Sequence, residues 1–440
     1  MQPMVLGQPY RQADGCIFRE GQHRIRAMRD GRRLILLWWM LWMAMESGLG
    51  LLGQIDPMPR QVFQAAYAYP LHEHAPMAAY GFYYYNQPGF IRTNLTLRVA
   101  AVPVFLDTEL GITDALGPDT DLGINLAGGG FADGYAEIRE GNYLPEESFL
   151  GHTAEGNLSL YHLFNPDQLM PLNGILRAGM HGSFYQRDGD TADDFSLPRN
   201  RPTGHVRAGL RLGGREPYLT PHLAGEVSLW YENQYRWENA PYGFEGDRSV
   251  EESSHLFWLR TLLAYTWDTS GRFLEVSLTA GTTLEADRFS TYRLGGSLPF
   301  VSEFPLPIPG YHNQEISADQ FILLNSALLL PLGASRSWSL FFFGSAAVVD
   351  YLPGLAQDGN FHAGLGGGVF YRSRNRAWQI GTAYGYGFEA IRNGDWGGQT
   401  VTFLLQYDLD ALASAGGKPF WNPLVNASTW RGIFRRIGGK

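Results

Sequence analysis

Strict alternation of apolar and polar residues recurs along most of the chain. In one stretch Leu95, Leu97 and Val99 alternate with Thr96 and Arg98. A period of two indicates a β-strand with one apolar face and one polar face. The five stretches with the most regular alternation are 91–105, 203–212, 274–281, 377–389 and 401–409.

Ten less regular segments extend the pattern to about fifteen candidate strands. They are 77–86, 121–129, 151–163, 174–185, 220–236, 256–267, 286–295, 316–332, 338–350 and 361–371. Most candidates have ten or more residues, which exceeds the usual length of a strand in a globular protein and matches the ~9–11 residues of a tilted membrane strand. Helical periodicity is absent from these segments.

Two all-β architectures fit many alternating strands: a soluble sandwich and a membrane barrel. In an outer-membrane barrel the apolar face meets lipid and the polar face lines the lumen. Glycine is abundant, aromatic residues make up 14% of the chain, and charged residues make up only 18%. These features favour a transmembrane antiparallel β-barrel of the outer-membrane type, with about 16 strands and 14 as the next candidate. Six charged residues on polar faces are then predicted to lie in the lumen, as mutually paired groups or as the lining of a selective pore: Arg92, Arg98, Arg207, Arg211, Glu226 and Glu275.

The N-terminal region has the composition of a secretory signal. Five arginines in 24–33 precede an apolar run at 34–45 and a patch of small residues. This order is typical of a cleaved signal peptide, and the alternative of a membrane anchor would need ~20 apolar residues. We therefore expect export to the bacterial outer membrane, with 1–53 as extension and signal, 54–74 as a short periplasmic lead-in and 75–409 as the barrel. Residues 410–440 form a basic and aromatic extension, and longer polar stretches, including 108–120 and 297–314, read as extracellular loops.

Little in the chain points to catalysis or to bound cofactors. A net charge of -9 without a basic face argues against nucleic-acid binding, and the single Cys16 excludes a disulfide framework. The stretch His72-Glu73-His74 and the acidic cluster at 188–194 read as solvated surface rather than metal sites. A G-x-S-x-G motif is also missing. We expect no enzyme activity, no cofactor and no metal, and outer-membrane lipids as surroundings.

The order of parts in 290–409 resembles the bacterial surface-antigen family, the BamA/TamA-like barrels of outer-membrane assembly and translocation proteins. A long loop with Gly310 and Tyr311 is followed by Glu315 and by a strand ending at 331–332. A strand ending in Asp350, a Gly-rich strand at 361–371 and a last strand at 400–409 come next. The resemblance implies that the loop folds into the lumen.

Two departures limit what the resemblance implies about function. The family's loop arginine, which reaches an acidic partner on the barrel wall, is Pro309 here, so Asp350 loses its implied partner unless Arg293 substitutes. The repeated periplasmic modules of the assembly and export proteins are also missing before the barrel. We therefore expect an accessory barrel that binds other outer-membrane proteins. The alternatives are a pore for small solutes and, least expected, a lipid-modifying enzyme.

Overall fold

The computed structural model describes residues 55–72, 76, 78–130, 133–214, 222–267, 271–297 and 304–414. The expected signal and most of the C-terminal extension lie outside these residues. The strands are β1 (Arg60–Pro70), β2 (Ala78–Pro88), β3 (Leu95–Val102), β4 (Phe105–Ile112), β5 (Thr120–Gly129), β6 (Tyr135–Arg139), β7 (Asn142–Leu163), β8 (Leu172–Gln186), β9 (Arg201–Gly213), β10 (Leu223–Arg236), β11 (Ser253–Thr266), β12 (Phe273–Leu284), β13 (Tyr292–Leu294), β14 (Ile316–Leu332), β15 (Trp338–Tyr351), β16 (Phe361–Arg372), β17 (Trp378–Arg392) and β18 (Asp395–Asp408). A 3-10 turn covers Phe244–Gly246, and helix α1 covers Leu409–Ser414.

Sixteen of the described strands form one closed antiparallel barrel. Each pairs with its neighbours in chain order, and β1 pairs with β18 from Val62↔Asp408 to Pro70↔Thr400. The short strands β6 and β13 are additions: β6 pairs with an extension of β7, and β13 pairs with the start of β14. The predicted fold class and the central estimate of sixteen strands are both confirmed.

The sequence prediction missed two barrel strands. Strand β1 lies inside the range expected to be a lead-in, because its lumen positions Ala66 and Ala68 give little contrast with the apolar face. Strand β4 occupies part of the expected loop 108–120 and is only eight residues long. The candidate at 286–295 contributes only β13. The barrel therefore begins at Arg60, and the boundary expected at residue 75 is wrong.

The two faces of the wall follow the sequence alternation. Outward positions such as Leu158, Leu229, Ile322 and Leu365 are each more than half exposed, as expected for side chains that meet lipid. Among the described residues no helix is long and apolar enough to cross a membrane.

The barrel has two unlike ends, here named the lower and upper mouths. The lower mouth holds the start of β1, the end of β18 and connections such as 373–377. The long connections 187–200, 237–252 and 285–315 belong to the upper mouth, whereas the expected extracellular loop 108–120 turns at the lower one. The long upper connections are the elements that build the candidate site.

Candidate functional site: a loop that crosses the lumen

The segment between β13 and β14, here called the inner loop, enters the barrel and contacts two separate parts of its wall. Its described parts are 295–297 and 304–315. On one wall the ring of Phe304 lies 5.0 Å from Trp230 and 5.6 Å from Trp258, centroid to centroid. The Arg260 guanidinium lies 4.6 Å from the same ring. Because Trp230, Trp258 and Arg260 project inward from β10 and β11, this end of the inner loop is held by aromatic and cation–π contacts.

The other end of the inner loop lies directly on a glycine-rich part of the wall. Gly310 has φ 84°, and a Cβ there would overlap the backbone nitrogen of Gly387. A Cβ at Gly364 would overlap the carbonyl of Pro309, and one at Gly387 would come within 2.7 Å of the Tyr311 ring. Glycines of β16 and β17 therefore flatten the wall where the loop backbone approaches it.

Tyr311 is fully buried at this contact and ends in a short polar chain. Its hydroxyl lies 3.0 Å from Nδ1 of His362, and the Tyr351 hydroxyl lies 2.6 Å from Nε2 of the same ring. The imidazole thus has a partner at each nitrogen. Two phenols and one histidine on neighbouring elements satisfy one another, with Tyr311 and His362 fully buried and Tyr351 half-buried.

A buried ion pair fixes the end of the inner loop. Arg392, at the end of β17, donates through Nη1 to Oε1 of Glu315 at 2.9 Å and through Nη2 to Oε2 at 2.8 Å. Nη2 also lies 3.3 Å from the carbonyl of Gly310, and Glu315 accepts from the backbone N–H of His312 at 2.6 Å. Burial alone would raise the pKa of Glu315, but the Arg392 guanidinium holds it below its ordinary value. The arrangement is a bidentate, charge-assisted bond.

Four of the residues in the predicted loop motif lie together, and two do not. Pro309, Gly310, Tyr311 and Glu315 share the wall contact described above. Asp350 is exposed on the outer face of β15, because its neighbour Val349 takes the inward position.

Arg293 does not reach Asp350. Its Nη2 donates to the carbonyl of Ala136 at 2.8 Å, and its guanidinium lies over the Tyr135 ring at 4.8 Å. The suggested substitute pair is therefore wrong. The charge pair observed at the inner loop is Glu315 with Arg392, and Arg392 was not among the predicted residues.

Most of the predicted lumen charges face inward and have partners. Arg98 lies 2.9 Å from Glu109 and 3.4 Å from Asp107, and Arg207 lies 2.6 Å from Glu232. Glu226 binds Arg260 at 2.7 Å and lies 3.8 Å from Arg211.

The two remaining charges differ in position. Glu275 faces the lumen on β12, opposite Ala264 of β11. Arg92 lies in the turn between β2 and β3 and is exposed, so its expected place in the lumen is wrong. The charged partners that prediction missed are Asp107, Glu109, Glu232 and Arg260, which are buried on the lumen faces of β4, β10 and β11.

The upper connections form a folded cap over the upper mouth, here called the dome. Its core is a set of aromatic rings that come from five different segments, four of them buried and Phe289 half-buried: Tyr135, Phe149, Phe195, Tyr242 and Phe289. Arg248 pairs with Glu137 at 3.4 Å and with Glu147, and Arg288 lies 3.2 Å from Glu137. At its tip, Gly141 lies against Ile391 and Arg392 on the opposite side of the ring. The dome therefore spans the mouth and touches the loop anchor.

The described residues contain no group of three His, Cys, Asp or Glu side chains that could hold a metal ion. Within the acidic cluster, the side chains of Thr191 and Asp188 accept the backbone N–H groups of Asp188 and Asp190, so the cluster is a self-bonded surface turn. Glu73 and His74 of the candidate metal site lie outside the described residues.

No protein-family model and no curated protein matches the chain. Among solved structures, CdiB from Acinetobacter baumannii is 11% identical with a TM-score of 0.52, and the alignment covers 80% of this chain and 60% of CdiB. The chain thus spans less than two thirds of the length of CdiB. BamA from Haemophilus ducreyi lacking POTRA domains 1–3 is 10% identical with a TM-score of 0.50, over 80% of this chain and 71% of that one. The chain shares the fold of these two barrels. The fold expected from residues 290–409 is therefore confirmed.

Proposed function

We propose that this protein is an outer-membrane barrel with a plugged lumen, which acts by binding other outer-membrane components and not by conducting solutes. The observation that carries the proposal is the inner loop, which contacts β10 and β11 through Phe304 and β17 through the Glu315–Arg392 pair. A loop tied to both of these parts of the wall obstructs the upper half of the lumen. The dome adds a second obstruction at the upper mouth.

The paired lumen charges also count against a selective pore. A selective cation or anion pathway is lined by a ring of one sign of charge. Here the arginines on β3, β9 and β11 each face a carboxylate on the same or an adjacent strand. Such pairs largely cancel the field that would select an ion. They stabilise the wall instead.

Two surfaces are suited to partners. The seam between β1 and β18 is the place where strands from the two ends of the barrel meet, and Asp410 of α1 accepts the backbone N–H of Gln61 beside it at 2.6 Å. The outer surface of the dome is the second. A partner that adds a strand at the seam must displace the hydrogen bond from the backbone N–H of Gln61 to Asp410.

Single-channel recording in planar bilayers tests the proposal. We expect the protein to show no steady conductance, because the inner loop and the dome both cross the pathway. A variant that lacks residues 304–311 should give longer open events, with heat-modifiable gel migration confirming that its barrel is folded. A steady open channel in the unmodified protein would favour the pore instead. Recovery of the barrel alone from solubilised outer membranes would count against partner binding.

A further inference from the structure

The lumen has two walls of opposite character. The charged pairs described above lie on β3–β11, whereas the wall from β15 round to β2 presents apolar side chains. Its inward residues include Phe341, Phe343, Phe370, Leu404 and Phe82. The lumen of an outer-membrane barrel is ordinarily polar. Phe82 and Leu404 are buried against their neighbours, whereas Phe341, Phe343 and Phe370 are only half-buried, so apolar surface remains uncovered in this part of the lumen.

A cavity of about 450 Å³ lies between this wall and the inner loop. Pro305, Pro307 and Pro309 line its upper side. Phe370 and Phe273 lie near the strand ends that form the lower mouth, so the cavity extends towards that end. Its volume is within the ~300–1,000 Å³ of small-molecule sites. The site is therefore large enough for one flexible apolar chain.

The chemistry of the walls selects an acyl chain over a peptide. An extended peptide binds most strongly where a free strand edge offers backbone hydrogen bonds. In the closed barrel every described wall strand is paired on both sides, so the backbone has none to offer. An acyl chain needs no such partners and gains from each methylene it buries. Polar side chains also line the cavity: Ser277, Thr279 and Glu275 on β12, Arg260 on β11, Asn325 on β14, Ser345 on β15, Thr402 on β18 and Ser297. Arg260 is already paired with Glu226, so its charge is compensated.

A cation lies below the cavity, at the end of the strand that contributes Phe370 to its lining. Arg372 follows Phe370 by two positions, so both side chains take the inward face of β16. Arg372 is exposed and donates to Oε1 of Gln379 at 2.9 Å, which leaves guanidinium hydrogens for an acidic headgroup. We propose that the lower lumen binds an anionic amphiphile, with one acyl chain in the cavity and its acid group on Arg372.

Photo-crosslinking in nanodiscs tests the site directly. The probe is palmitate with a diazirine near the end of its chain, and tandem mass spectrometry locates the adducts. The lumen residues Phe341, Phe343 and Phe370 should be labelled in excess over the membrane-facing residues Phe342 and Val369, and excess unlabelled palmitate should compete. Labelling confined to the membrane-facing positions would overturn the proposal.

Matched variants separate the cavity from the surrounding bilayer. Ala327→Phe fills the cavity, whereas Ala346→Phe places the same ring on the membrane face of the neighbouring strand. We expect lumen labelling to fall at least tenfold in the first and to persist in the second, with heat-modifiable migration confirming both barrels. Equal labelling of the two folded variants would contradict an acyl site.

Removal of the Arg372 charge tests the contact with the acidic headgroup. Arg372→Gln should weaken palmitate labelling several-fold but leave labelling by a diazirine fatty alcohol unchanged, whereas Arg374→Gln in the adjacent turn should change neither. A phospholipid probe with one diazirine chain then distinguishes sources: lumen labelling by both probes indicates a membrane lipid, and labelling by palmitate alone indicates a free fatty acid. If neither probe labels the lumen, the proposal is wrong.

Discussion

At the scale of single residues, the inner loop depends on one buried pair of charges. Glu315 and Arg392 are both nearly inaccessible to solvent, and each satisfies the other with two hydrogen bonds. The loop carries the carboxylate and the wall carries the guanidinium. The resemblance to the surface-antigen family implies the opposite assignment. In this protein the loop carries the acidic member of the pair and the wall carries the basic one, so this implication of the resemblance is not met.

We expect removal of either charge to release the loop. Arg392→Met leaves Glu315 buried without a counter-charge, which typically costs ~3–5 kcal/mol. Glu315→Gln should have a smaller effect in the same direction, and the double variant should lose less than the sum. The measurement is the midpoint of the heat-modifiable gel transition. Arg199→Gln, in an exposed pair with Glu238 at 3.7 Å, is the control and should change little.

At the scale of elements, the inner loop and the glycine-rich strands are complementary surfaces. The backbone of Pro309–Tyr311 occupies the space that side chains on β16 and β17 would fill. Glycines in these strands weaken the wall on their own, since a strand interior favours larger residues. The docked loop compensates by covering them.

Gly387→Ala is expected to displace Tyr311, because the new Cβ would lie 2.7 Å from its ring. Backbone hydrogen exchange in 308–314 should then rise at least tenfold, while exchange in the distant strands β7 and β8 stays constant. Gly189→Ala is the matched control, since its added carbon meets open space. Equal protection of the loop in both variants would show that the contact between Gly387 and Tyr311 does not control hydrogen exchange in the loop.

At the scale of the whole molecule, two obstructions lie along one axis. The dome covers the upper mouth and the inner loop crosses the lumen below it, and Gly141 joins them by lying against Arg392. The dome holds its own ion cluster around Glu137. Burial alone would raise the pKa of Glu137, but Arg248 and Arg288 hold it below its ordinary value of 4.5.

The dome should therefore loosen in acid. A carboxyl group whose pKa is lowered by folding contributes stability above its ordinary pKa, and this contribution disappears as the pH falls through the lowered value. We expect hydrogen exchange in 135–139 and 242–250, corrected for the intrinsic effect of pH, to accelerate below about pH 4.5. Glu137→Gln should remove much of this dependence, and the exposed Glu238→Gln should not. An unchanged profile in the first variant would contradict the role of Glu137.

Sequence prediction succeeded for features that are encoded within one segment and failed for contacts between distant segments. The alternation of apolar and polar residues identified the two faces of most strands, because it is a property of each strand by itself. The Pro309–Glu315 segment was also recognisable, since its Gly and Pro content is local. Arg392 was not, because it meets Glu315 only after β14–β17 have folded side by side. Asp350 was misplaced by a single position of register, which moves a side chain through the wall.

The chain order of the inner loop and its docking surface has a kinetic consequence. The loop precedes β14, whereas the surface on which Pro309 and Glu315 rest is made by β16, β17 and the start of β18. The loop thus has no complete surface to bind until the last two hairpins are in place. Its docking is therefore a late folding event, and an early or stalled assembly intermediate would have an open lumen.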